Sequence, residues 1–131
     1  MASHTLDPAG RLEVPVDSKL RYSADTLKVK AGEKYRFSVK PEQRWKDWFI
    51  STTAHGYTNP MAVLSGLRVK KAKCFCLCGC YDHNDTDAFP IGKFMEESMK
   101  RDGTLSFFAN DALGYYKNNR GVIILSIERL S

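Results

Sequence analysis

The sequence predicts an all-β domain, a jelly-roll-like antiparallel β-sandwich, and three observations carry that expectation. Short apolar runs recur through 131 residues. Several of them alternate apolar and polar side chains with the period of two that puts one strand face in a core. Clusters of Gly, Pro, Asn and Asp separate them, as in sandwiches and small barrels. The length suits one domain, taken as residues 1–131, with too little chain for two ordinary cores.

Taken in order, residues 1–10 are expected to be a flexible tail. Thr26–Val29 and Tyr35–Val39 alternate clearly and are joined through Ala31-Gly-Glu33, which predicts an antiparallel pair. Further strands are expected at 48–51, 63–69, 74–81, 89–91, 104–109 and 122–129. Lys93–Arg101 has a helical look, with Met95 and Met99 four apart. Asp82-His-Asn-Asp-Thr-Asp87 lacks the Gly and terminal Glu of an EF-hand loop, and a hairpin turn between Tyr81 and Phe89 explains it more cheaply.

Four cysteines at 74, 76, 78 and 80 have a spacing of two. On a strand all four thiols share one face with next-but-one Cα atoms about 6.6 Å apart, which suits neither ready disulfides nor shared metal ligation. They read as small buried hydrophobes made in a reducing compartment. The first residues show neither a basic n-region nor an apolar h-region, so the expectation is cytoplasmic synthesis, with any export by a non-classical route. No apolar window reaches the roughly 18 residues of a membrane helix, so no membrane insertion is expected. The formal charge of +5 suits an anionic partner. Yet the cations are dispersed and no nucleic-acid-binding motif occurs, so Arg68–Lys73 reads as a solvated, edge-protecting patch. His55 and His83 have no nucleophile or carboxylate at a catalytic spacing, so no enzymatic activity is expected. A glycan-active enzyme would need two carboxylates flanking the bond.

The chemistry concentrates in Asn110-Asp-Ala-Leu-Gly-Tyr-Tyr-Lys-Asn-Asn-Arg120, between two apolar runs. One carboxylate followed by two amides offers hard, mostly neutral oxygens of the kind a Ca²⁺ ion gathers six to eight at a time. Asp111, Asn118 and Asn119 are the candidate ligands, and Gly114 is expected to permit a reversal that turns the Tyr115 carbonyl inward. Open coordination positions on such an ion can accept vicinal sugar hydroxyls. Asn, Asp and Gly are also favoured in any loop, so spacing alone leaves a metal-free interaction module open. Trp48 is either a core residue at a strand start or a flat apolar platform for a sugar face.

Phe108 to Gly121, followed by a strand ending Ser126-Ile-Glu-Arg129, resembles the C-terminal part of the calcium-dependent, galactose-binding bacterial lectins of the Pseudomonas lectin A (PA-IL-like) family. The pattern is Asn-Asp, a stretch with Gly and an aromatic, then Asn-Asn-x-Gly. The likeness extends to Trp45-Lys-Asp-Trp48 and Thr58-Asn-Pro60. It implies a galactose-binding-domain-like sandwich, assembled as a dimer or tetramer, in which calcium bridges protein and galactose-containing glycans or glycolipids. It implies Asp111, Asn118 and Asn119 as side-chain ligands, with carbonyls from Tyr115 and Trp48. Sugar contacts would come from Trp48, Asp111, Asn118, the backbone at Ala112, and His55 or Asn59 in the loop that sets specificity. Tyr115 is larger than the family's usual residue, and Lys117 stands where Gly is frequent. An oligomer is also expected because strands 74–81 and 104–109 carry apolar or thiol side chains on both faces.

Overall fold

Leu27 and Val29 enter the same core as Tyr35 and Phe37, but from opposite sheets. The computed structural model describes residues 2–131. One sheet has the order β1 (Ala2–His4), β3 (Asp25–Val29), β10 (Gly103–Ala109), β7 (Leu77–Tyr81), β8 (Asn84–Pro90). The other has β2 (Arg11–Asp17), β12 (Val122–Arg129), β4 (Lys34–Ser38), β9 (Phe94–Ser98). A small third sheet joins β11 (Asn119–Arg120), β5 (Trp45–Asp47) and β6 (Ile50–Thr52). All ladders are antiparallel except β1 with β3.

The sandwich core follows from alternation. Val14 and Val16 of β2, Ile123, Leu125 and Ile127 of β12, and Tyr35 and Phe37 of β4 meet Leu27, Leu105, Phe107 and Leu77 from the facing sheet. Each strand thus sends alternate side chains into this core, the pattern that fixes register.

Several sequence expectations are corrected. Thr26–Val29 and Tyr35–Val39 are not paired with each other; they cross between sheets, β3 joining β10 and β4 joining β12. The expected tail, 1–10, is ordered over its described part, residues 2–10, where β1 pairs with β3 and Leu6 packs on the core; Met1 lies outside the described residues. Arg11–Asp17 is a full strand on the edge of its sheet, where Pro15 is tolerated. Part of the segment 63–69 is helical instead: α1 (Pro60–Ser65) starts at an Asn59 cap that accepts from Met61 and Ala62 N–H, and stops at left-handed Gly66. Lys93–Arg101 contains β9, whose Glu96 pairs across the ladder with Arg36 at 2.6 Å.

Asp82 and His83, both at positive φ, make the two-residue turn of the β7–β8 hairpin, and Asn84–Asp87 already belong to β8. The three aspartates of 82–87 are spoken for: Asp82 by Arg101, Asp85 by Arg68, and Asp87 by Lys100 and Arg101.

The second face of β7 and β10 is covered by the chain itself. Cys76, Cys78, Cys80 and Phe108 pack under Val69, Tyr22, Ala72 and Ala88. The need for a second copy on this face, which motivated the dimer or tetramer expectation, is therefore met internally. All four cysteines are free and buried, but Cys74 leaves the row. Phe75 adopts a positive φ of 63°, and the Cys74 side chain joins the main core instead. Arg68 is likewise not a solvated cation. Its side chain is 1% exposed, its guanidinium lies 3.5 Å from the Phe108 ring centre, and it grips both carboxylate oxygens of Asp85 at 3.0 and 3.1 Å.

Candidate functional site

Strand pairing builds the site. β5 and β6 form a hairpin whose turn is Trp48-Phe49, and β11 adds on the other side of β5 with Asn119 opposite Asp47. Trp48 sits at φ 57°, a conformation that costs a bulky residue on the order of 1–3 kcal/mol. Its N–H donates to the Asn118 carbonyl at 3.0 Å, which ties the strained turn to the Asn118-Asn119 pair.

The 110–119 loop is fixed from beneath. Asn110 is fully buried; its Oδ1 accepts from Val69 N–H, and its Nδ2 donates to the carbonyls of Val69, Ala72 and Lys73. The first amide of the motif is therefore a scaffold for the neighbouring loop. The Asp111 carbonyl accepts from Arg68 N–H at 3.2 Å, and the Arg68 side chain donates to the Tyr116 hydroxyl, which donates in turn to the Ala109 carbonyl. Residues Leu113–Asn118 then form a 3-10 turn. Gly114 has ordinary backbone angles with open space around it, so the expected reversal at Gly114 is absent.

These elements enclose a cleft of about 330 Å³. Trp48, Asn59, Asp111, Tyr115 and Asn118 line it, so five sequence-predicted residues from three distant segments meet there. Asn119 lies buried beside Asp111, its Nδ2 donating to the Ser18 carbonyl at 2.9 Å. Ala112 is buried, with its N–H donating to Asp111 Oδ1 at 2.8 Å. Asn59 uses Oδ1 to cap α1 and one Nδ2 hydrogen for the Tyr57 hydroxyl, leaving its second amide hydrogen free. His55 stands outside the cleft lining, with Nε2 3.4 Å from Lys73 Nζ. Trp48 is exposed rather than core; the core tryptophan is Trp45, whose indole N–H donates to the Phe75 carbonyl.

Two titratable lining residues, Asp47 and Tyr57, are not marked by the sequence as site residues. Asp47 accepts a short hydrogen bond from the Tyr57 hydroxyl, and the Cys74 thiol approaches the same oxygen at 3.6 Å. Asp47 was visible only as the residue before Trp48, and no spacing rule marks it.

Asp111 Oδ2 and Asn119 Oδ1 are both buried acceptors without a hydrogen-bond donor. Burial pushes the Asp111 carboxyl up to about 6; the Asp47 charge adds to the rise, and the Ala112 N–H and adjoining Asn119 amide oppose it. Burial also pushes the Cys74 thiol up to about 12, with the negative charges of Asp111 and Asp47 adding. The Tyr57 hydroxyl is raised by burial and by its bond to Asp47. Uncompensated acceptors and mutually repelling acids in one place are what a cation would relieve. Among the described residues no three of His, Cys, Asp and Glu converge in a metal-binding group. The available donors are carboxylate and amide oxygens, which suit a hard cation such as Ca²⁺.

No protein-family model and no curated protein sequence matches the chain. Among solved structures it is similar to the N-terminal domain of EclA, a PllA-like lectin, with a TM-score of 0.66 and 20% identity. The match covers 89% of this chain and 94% of that one. The chain therefore has the fold of a lectin domain.

Proposed function

We propose that the protein is a lectin whose cleft binds Ca²⁺ and, through it, a terminal galactose or a related hexose. One observation carries the reading: Asp111 Oδ2 and Asn119 Oδ1, on side chains that adjoin in the fold, are both buried without donors. A protein retains such acceptors at a cost of a few kcal/mol unless something positive fills the site. The lectin-like fold and the resemblance of the 108–121 segment point the same way.

In this reading Asp111, Asn118 and Asn119 hold the ion by side-chain oxygens, with carbonyls of Trp48 and Tyr115 completing the protein's share. Calcium supplies open coordination positions for two neighbouring sugar hydroxyls. The chain's own residues then set orientation. The Asp111 carboxylate accepts from those hydroxyls, the Asn118 amide accepts from or donates to them, the backbone at Ala112 brushes the ring, and the free Asn59 amide hydrogen reaches a further oxygen. Asp47 adds a second negative charge facing the cleft, which strengthens cation binding and repels acidic sugars. The exposed Trp48 face offers an apolar surface to the C–H side of a pyranose. A glycan array read with calcium and again with chelator tests the proposal. Galactose-terminated glycans should bind only with calcium; equal binding in chelator would overturn it.

A further inference from the structure

Eight of the eleven exposed large apolar side chains among the described residues fall within 48–50, 61–64 and 113–115. Those three segments are the walls of the cleft mouth. The Trp48-Phe49 turn projects with Phe49 78% exposed, its ring packed on Trp48 at 4.5 Å between centres. Helix α1 buries only Ala62 and turns Met61, Val63 and Leu64 outward, Leu64 at 82% exposure. A helix normally shows its apolar side to a core, so this one is shaped for contact with something outside the chain.

Charge narrows the occupant. No Asp or Glu occurs from Trp48 to Tyr81 or from Ala112 to Ile127. The two carboxylates of these walls, Asp47 and Asp111, line the cleft. Exposed Lys46, Lys117 and Arg120 flank the Trp48-Phe49 turn, through the β5–β11 pairing and the Trp48–Asn118 hydrogen bond. Aromatic and aliphatic tips set among cations, with acids excluded, match a polar–apolar boundary bearing negative charge. A second copy of the chain fits less well. It would cap the mouth of its own ligand cleft and bring like-charged lysines together.

We propose that this rim seats on an anionic bilayer surface, with Phe49 and Leu64 reaching the headgroup–acyl boundary. The cleft then takes its hexose from a glycolipid in that same membrane. Among the described residues no helix is long and apolar enough to cross a bilayer. The glycolipid part rests on the hexose-binding reading above, whereas the rim's contact with lipid does not.

The test combines vesicle flotation, calorimetry and sedimentation on the whole chain and on a Phe49→Ser/Leu64→Ser variant, neither residue lining the cleft. Vesicles are phosphatidylcholine alone, phosphatidylcholine with about a fifth phosphatidylserine, and the latter doped with lactosylceramide, a galactose-terminated glycolipid. With calcium, the parent should bind the serine-lipid vesicles in a salt-sensitive manner, and the lactosylceramide vesicles about tenfold more tightly or better. The variant should keep calcium and free-galactose affinity within about twofold, yet lose about tenfold or more on both charged vesicles. Vesicle binding equal in variant and parent would overturn the proposal. So would a parent that ignores both charged vesicles and sediments as a dimer that the variant abolishes, which would make the rim a face between copies. A parent that binds serine-lipid vesicles through Phe49 and Leu64 but never binds galactose would support the rim and refute the hexose reading alone.

Discussion

Replacing Asp111 by Asn should stabilise the calcium-free protein while abolishing its response to calcium. Burial holds the Asp111 carboxyl at about 6 against an ordinary 3.8. At about 1.4 kcal/mol per unit, this is ~3 kcal/mol of unfavourable charge burial in the folded state above that pH. Asn at this position keeps the oxygen that accepts from Ala112 N–H, and replaces the charged, donorless Oδ2 with a neutral amide group. At roughly 4 °C per kcal/mol for a chain of this size, the variant in EGTA should melt about 10 °C above the parent near neutral pH. The sign of the pH dependence follows from the raised value. Both folded and unfolded carboxyls are protonated below about 4, and the favourable contribution of the protonated group is lost as pH rises through about 6. The gap between variant and parent should therefore be small near pH 4 and open across pH 4 to 6. Calcium at about a hundred times its dissociation constant should return about 2.7 kcal/mol to the parent and nothing to the variant. Thermal melts over pH in EGTA and in calcium measure all of this. A variant that melts at or below the parent in EGTA at neutral pH, or that still gains stability from calcium, would refute the reasoning.

Three further outcomes are expected. Asn118→Ala should fold with an unchanged melting temperature in EGTA, since the residue is exposed and caps nothing, but should lose about tenfold or more of galactoside affinity by calorimetry. Asp47→Asn should weaken calcium about tenfold in equilibrium dialysis, because it removes the second negative charge facing the cleft. Arg68→Met should lower stability in urea by about 3–5 kcal/mol by leaving the Asp85 carboxylate without its guanidinium, and Asp85→Leu added to it should recover much of the loss.

The sandwich was legible because its core strands alternate: Leu27-Val29, Tyr35-Phe37, Leu105-Phe107 and Ile123-Leu125-Ile127 each put one face inward. Their partners were not legible, because alternation says which face is buried and not which strand lies alongside. Arg11–Asp17 alternates equally well through Leu12, Val14 and Val16; Pro15 hides it, since a proline argues against a strand unless the strand lies at an edge. Val63–Val69 misleads through its β-branched content, although Asn59, Pro60 and Gly66 are the cap, first-turn and stop residues of a short helix. Met95 and Met99 share helical spacing, yet pairing of Glu96 with Arg36 across β4 and β9 goes with a strand. Around the cleft, the motif named Asp111, Asn118 and Asn119 because ligand types cluster in one loop. Asp47 and Tyr57 enter only through the hairpin and the loop after it, contacts that no local spacing encodes. Arg68 looked like one cation in a basic run, and only the rings of Tyr22, Phe108 and Tyr116 around it reveal a buried clamp under the site.

Calorimetric titration of galactose into the protein, first stripped with EGTA and then loaded with calcium, measures the central claim most directly. In the function we propose, the donorless Asp111 Oδ2 and Asn119 Oδ1 would receive a cation whose open positions then take the sugar. The stripped protein should give no heat of binding, and the loaded protein a saturable one-site isotherm that Asp111→Asn abolishes. Equal galactose affinity with and without calcium, or a calcium-dependent isotherm that survives Asp111→Asn, would contradict the account.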